Sequence, residues 1–233
     1  LGHGWGMHAP GLQSATAVMA VTHHLNLSHG LAVSKLRETV PDAKIGTVIV
    51  MHPVVDWEND PAGSARLDAL SNRAFTDPAL LGTYPELLID ELSPFIQQGD
   101  LELIQQPLDF FGLNHYTTMR ARSAPESALG VEILQPPPEV PQTIKGWEIN
   151  PEMFYQQLLE LKNRYGNLPI YITESGCAAP DKLDAEGKVA DPERVAYFRD
   201  YLRAAARAIE DGVNLKGYFA WSLMDNFEWA EGY

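Results

Sequence analysis

Helical and strand-like periods alternate along this chain, with Pro and Gly at the junctions, and that alternation leaves few folds open. From Ser14 to about Glu38 the pattern is helical, with Val18, Val21 and Leu25 at spacings of three and four, and Pro41 lies beyond its end. IGTVIV at 45–50 is a β-branched run suited to a buried strand. Residues 64–98 carry one or two helices, interrupted near Pro78 and Pro85, and DFFGL at 109–113 reads as a second strand. Residues 121–150, which contain Pro136, Pro137 and Pro138, read as a long loop. Asn150 and Pro151 then supply an N-cap and a first-turn proline. Phe154, Leu158, Leu161 and Tyr165 follow at helical spacing, and Gly166 is placed to end that helix. PIYIT at 169–173 is a third strand. Asp191 and Pro192 repeat the start signal for a helix whose buried face is read as Val195, Phe198, Leu202, Ala205 and Ile209, closed by Gly212. KGYFAWSL at 216–223 is the fourth strand. Such an order predicts an α/β fold of parallel βαβ units, and no internal boundary divides residues 1–233.

Composition narrows the partners. With 233 residues, 45% of them hydrophobic, the chain has ample material for a core. Its formal net charge of −14 repels phosphate backbones and anionic membrane surfaces, so neither nucleic acid nor membrane is an expected partner. No run approaches the roughly 18 apolar residues of a spanning helix. Cys177 is the one cysteine, which excludes an intrachain disulfide and makes a reducing, cytoplasmic location the default expectation. Residue 1 is Leu and Tyr233 closes a dense aromatic and acidic run, so the chain is expected to be a piece of a longer one, whose start would hide any leader.

In parallel α/β folds the reactive groups lie at the C-terminal ends of strands. The first strand runs into Met51, His52, Pro53, Asp56 and Trp57. The second runs into Asn114, His115 and Tyr116, and the third into Glu174, Ser175 and Gly176. The fourth leads through Trp221 to Asp225, Asn226, Phe227, Glu228 and Trp229. Indoles stack on the apolar faces of pyranoses, and carboxylates and amides bind their hydroxyls, so the mixture suits a sugar. Glu174 has a bland reading, a solvated strand-to-loop carboxylate, and a functional one, a nucleophile for an anomeric carbon. Retaining glycosidases place two carboxyl groups about 5–5.5 Å apart, one as nucleophile and one as acid/base.

YITESG at 171–176, GLNHYT at 112–117, GWEINP at 146–151 and AWSLMDNFEWAEGY at 220–233 together resemble the family-1 glycoside hydrolases, the β-glucosidase family. GHGWGMHAPG at 2–11 resembles a fifth motif, so the resemblance spans essentially the whole chain. It implies a (β/α)₈ barrel, a retaining mechanism, a β-glucoside or oligosaccharide substrate, and no metal or organic cofactor. By this resemblance Glu174 matches the nucleophile, Tyr116 the phenol that orients it, and Asn114 a residue of the same pocket. Glu228 matches the carboxylate that bridges two sugar hydroxyls, and Trp229 the adjacent sugar-binding indole. Trp221 matches the platform at the subsite entrance, and Trp147 a residue on the leaving-group side.

The family's usual Glu-Asn-Gly triplet reads Glu174-Ser175-Gly176 here, and tuning rather than loss is expected. Cys177 follows, either an oxidation-sensitive thiol near the site or a small loop residue. Members acting on 6-phosphorylated sugars lack the carboxylate at Glu228, so its presence implies unphosphorylated hexosides. The histidines are read as packing and surface residues; His3 and His8 flank Trp5 in a turn, and Asp225 and Asn226 are read as fixing the Glu228 loop.

The family's acid/base lies in an Asn-Glu-Pro motif that this chain does not contain. The resemblance therefore implies strands five to eight of the barrel, with the first four outside the chain. A four-strand half-barrel would expose two edges. Alone it is expected to be poorly stable and weakly active, since loss of general acid catalysis costs about 10²–10⁴-fold. Two other readings stay open: a fragment that binds sugar on Trp221, Glu228 and Trp229 without turnover, and a half-barrel that pairs with a partner.

Overall fold

The computed structural model describes residues 2–56 and 58–232. Trp57 and Tyr233, both within runs singled out above, lie outside the described residues. Four parallel strands form the main sheet: β1 (Gly46–Val50), β3 (Phe110–Asn114), β6 (Ile170–Ser175) and β7 (Leu215–Ala220), in that order. Among the described residues β1 and β7 each pair on one side only. The predicted βαβ alternation is therefore present, and each strand of this sheet lies beside the one that precedes it in the chain.

A second sheet goes beyond the sequence expectation. β2 (Val54–Asp56) pairs in parallel with β4 (Met119–Ser123), which pairs antiparallel with β5 (Val131–Leu134). Two of these strands overlap the stretch read as loop, so that reading is corrected at residues 121–123 and 131–134. The charged sequence MRARS hides the strand because only Arg120 and Ala121 of it are buried, the arginine through an ion pair.

Helix α1 (Ala15–Thr39) starts where expected, with Ser14 accepting from the Ala17 N–H. Its buried face differs from the apolar reading: Thr22, His23, Asn26 and Gly30 face inward, and Leu25 is exposed. The reason is a polar network. His23 bonds the Tyr84 hydroxyl at 2.9 Å and Asp100 at 2.9 Å, and Asn26 donates to Tyr84 at 3.1 Å. Gly30 admits the backbone of α5 (Asp100–Ile104), since a Cβ there would collide with the Leu103 carbonyl.

Pro78 does not interrupt its helix. α2 (Pro61–Asp68), a π-helical turn (Ala69–Arg73) and α3 (Ala74–Leu81) run on continuously, and α3 ends at left-handed Gly82. Pro78 cannot donate to the carbonyl four residues back, Ala74, and Asn26 of α1 takes that carbonyl instead at 2.8 Å. Asn72, inside the π-helical turn, brackets the backbone of His52 with bonds at 3.1 and 2.8 Å and so holds the end of β1. The short α4 (Ile89–Leu92) packs under α1.

The main core lies between the sheet and two helices. Phe111, Leu113, Ile170 and Ile172 meet Phe154, Leu158 and Leu161 of α6 (Pro151–Tyr165) and Tyr197, Tyr201 and Ala204 of α7 (Pro192–Glu210). Both helices start at the expected caps, Asn150 and Asp191. The buried face of α7 is Tyr197, Tyr201, Ala204, Ala205 and Ala208, whereas Val195, Leu202 and Ile209 are exposed. Large tyrosines set the face because their rings stack 4.1 Å apart behind the sheet, and alanines let the helix approach closely.

Candidate active site

The residues expected to carry chemistry gather at the C-terminal ends of β3, β6 and β7. Alternation along β3 sends Asn114 and Tyr116 to one face and His115 to the other. There His115 lies fully buried against Phe154 and Tyr201 and bonds Gln157 at 2.8 Å. On β6, strict alternation would carry Glu174 to the helical side with Ile170 and Ile172. A register irregularity intervenes: Leu113 pairs with Ile172, but Asn114 pairs with Glu174. The extra residue resets the alternation, so Glu174 joins Thr173 on the inner face and Ser175 turns to the helical side. Thr173 donates to Asn114 Oδ1 at 2.6 Å, and the Tyr116 hydroxyl donates to Glu174 Oε2.

These bonds set chemical roles. The Asn114 amide has its oxygen occupied, so its NH₂ is the group left for a ligand. Burial, together with the carboxylates of Glu174 and Glu228, raises the Tyr116 pKa, so the phenol stays a donor throughout the neutral range. Glu174 is thus held at one oxygen while the other is left to act. The Trp147 ring lies 5.8 Å from that of Tyr116, the residue that holds Glu174, and is 41% exposed.

The segment after β7 brings the acidic and indole groups. Trp221 donates through Nε1 to Glu228 Oε1 at 3.3 Å, which joins the two predicted sugar contacts. Asn226 donates to Ser222 Oγ at 3.2 Å, and Ser222 in turn donates to the Met224 carbonyl at 2.6 Å, so Asn226 ties the loop that leads to Glu228, whereas Asp225 is exposed. Trp229 is largely exposed and meets the His8 ring edge-on at 6.5 Å. The opening loop is thereby both a turn, closed by Gly11 N–H to His8 O at 2.8 Å, and a wall beside Trp229. Gly176 is required where it stands, because a Cβ would collide with the Trp221 carbonyl.

The unusual Ser175 is fully buried and faces the Tyr197 hydroxyl at 3.2 Å. Its departure from the family triplet is therefore felt in the layer behind the sheet. Cys177 is half-buried at the edge of the same core, and burial pushes its thiol pKa up, which suits the packing reading. His52, just past the end of β1, is close enough to His115 for their charges to interact, and burial lowers its pKa to about 4.

Sequence reasoning missed the pair Arg120–Glu148. Glu148 is 1% exposed and accepts from Arg120 Nε at 2.7 Å and Nη2 at 3.1 Å. The signal was present in the GWEINP motif, but nothing there names a partner 28 residues away. Together, these groups place one oriented carboxylate, a second carboxylate and three exposed indoles on the segments that follow the C-terminal ends of the strands.

A family model described as glycosyl hydrolase family 1 matches residues 1–233. The chain is 39% identical over 240 residues to a 1,4-beta-D-glucan glucohydrolase of Thermotoga neapolitana, covering all of the chain and 56% of that protein. It is 40% identical over 247 residues to Beta-glucosidase A of Acetivibrio thermocellus, covering 100% and 54%. A family 1 β-glucosidase structure from Thermotoga maritima matches with a TM-score of 0.90 at 35% identity, over 99% of the chain and 53% of its own. A psychrophilic β-glucosidase of Micrococcus antarcticus matches with a TM-score of 0.90 at 40% identity, over 100% and 55%. The chain spans about half the length of the curated relatives it matches.

Proposed function

Since the chain belongs to glycosyl hydrolase family 1, we propose that it forms strands five to eight of a (β/α)₈ barrel that hydrolyses terminal β-linked glucose or a related hexose with retention. The observation that carries this reading is Glu174, turned inward by the β6 irregularity and held at one oxygen by Tyr116. Pure binding does not require a nucleophile at this position, whereas double displacement does. Glu174 attacks the anomeric carbon, the bond to the leaving oxygen breaks, and water later displaces the carboxylate. Tyr116 remains protonated and holds the carboxylate in line. Asn114, Trp221, Glu228 and Trp229 bind the sugar, and Trp147 borders the leaving group. The acid/base carboxylate comes from a segment outside this chain. The four consecutive parallel strands, with both edges unpaired among the described residues, support the assignment to half a barrel.

The test is covalent. A 2-fluoro β-glucoside with a good leaving group, added to the chain alone and together with an N-terminal half-barrel of a relative, should label the peptide carrying Glu174. Labelling should be slow alone and faster with the complement. Saturable sugar binding without an adduct under both conditions would favour the binding reading.

Glu228→Ser should lower kcat/KM for an aryl β-glucoside by at least about 10²-fold, because charged hydrogen bonds to two hydroxyls are worth about 1.5 kcal/mol or more each. Steady-state kinetics check this, and unchanged values would remove Glu228 from the sugar site.

A further inference from the structure

We propose that the buried Arg120–Glu148 pair is a positioning clamp that holds Trp147 against Tyr116 and so sets discrimination among leaving groups, an inference that rests on the glycosidase reading. A carboxylate as buried as Glu148 is costly unless paired, and well-packed apolar residues often serve stability as well as such a pair does. The geometry it imposes is what sets it apart. Glu148 accepts two bonds from Arg120 on β4 and a third from Asn150 Nδ2 at 2.9 Å. Asn150 is also the N-cap of α6. The backbone of Glu148 bridges Thr118 on one side and Gln142 on the other, and its carbonyl accepts from Thr117 Oγ1 at 3.2 Å. Thr117 directly follows Tyr116, and Trp147 directly precedes Glu148.

The two rings in contact are therefore anchored through one residue. Trp147 is further fixed by Thr143, whose N–H donates to the Trp147 carbonyl at 2.9 Å and whose hydroxyl accepts from the Trp147 N–H at 3.3 Å. Only the indole is left to face the opening. Releasing Glu148 from Arg120 frees the turn at 143–147 and with it the tilt of that indole. Positions of this kind act on the part of the substrate that departs, while the glucosyl contacts rest elsewhere, Asn114 on β3 and Glu228 in the segment after β7.

Glu148→Gln, which keeps the shape, and Arg120→Met, which removes the charge, are made in the native protein. A series of glucosides with one sugar and different leaving groups is then compared per titrated active site. We expect the ratio of kcat/KM between a glucosyl disaccharide and a 4-nitrophenyl glucoside to shift by about tenfold or more in Arg120→Met, mainly through KM, and by less in Glu148→Gln. The Trp147 indole N–H resonance, assigned with Trp147→Phe, should move or broaden in both. Lower melting temperatures with an unchanged ratio and an unchanged Trp147 resonance would overturn the clamp. If the wild-type protein hydrolyses no β-glucoside, the functional reading fails, and the Trp147 resonance still decides the clamp on its own.

Discussion

Glu174→Gly should lower hydrolysis of a β-glucoside by at least about 10³-fold, and azide should restore turnover. The variant removes the carboxylate that would form the covalent bond and leaves a small gap at its place. The assay uses a 2,4-dinitrophenyl leaving group, which departs without a proton, so the missing nucleophile is isolated from any acid. Azide enters the gap and attacks the anomeric carbon on the face Glu174 would have used. The carbon–nitrogen bond forms as the phenolate leaves, and the product is the α-glucosyl azide. Its configuration, read by proton NMR, is the decisive measurement. Undiminished hydrolysis in the variant, or a β-azide product, would remove Glu174 from the nucleophile's role. The inward turn of Glu174 and its bond to Tyr116 make this the largest activity effect expected from any single residue of the chain.

The largest stability effect should come from pH. Burial pushes the His52 imidazole from about 6.5 down to about 4 and that of His115 to about 3. In the unfolded chain both would ionise near 6.5. As pH falls below that value the unfolded state takes up protons that the folded state refuses, so stability declines. The contribution is fully present above about pH 6.5 and is lost progressively down to the folded-state values. Each tenfold weakening of proton binding is worth about 1.4 kcal/mol, so the two groups account for a loss on the order of several kcal/mol. His115 Nε2 and His52 Nδ1 lack hydrogen-bond partners, so neither atom gains from protonation in place. Urea midpoints measured from pH 7 to pH 4.5 should fall steeply, and His115→Gln should flatten the slope. Asp109 is held near 2 by the Ile45 N–H and Arg37, so its own loss falls at lower pH and stays separable. A midpoint independent of pH across this window would contradict the buried, neutral assignment.

Much of the scaffold is legible locally. Ser14, Asn150 and Asp191 announce their helices because a capping side chain bonds a backbone N–H three residues on. Apolar runs, β-branched in IGTVIV and PIYIT and aromatic in DFFGL and KGYFAWSL, announce the four main strands, and the motifs that carry the family resemblance locate Glu174, Tyr116 and Glu228. The departures fall where a partner far along the chain decides the outcome. The charged MRARS run shows no strand pattern until Glu148 neutralises Arg120, and Pro78 reads as a break until Asn26 takes the carbonyl it orphans. The face of α7 departs from its apolar period because Tyr197 and Tyr201, half-polar in sequence, bury their rings against the sheet while Val195 and Leu202 stay out.

Chain order alone thus determined the kind of fold, its parallel connections and which residues are candidates for the chemistry, since those follow from local period, capping and motif. Only the tertiary structure decided where the groups point. The β6 irregularity that turns Glu174 inward and Ser175 outward arises from pairing with β3, 60 residues earlier from Asn114 to Glu174. The Arg120–Glu148 pair joins β4 to a segment outside the sheets, 28 residues further on. Direction and distance between remote residues are properties of packing, and no local pattern encodes them.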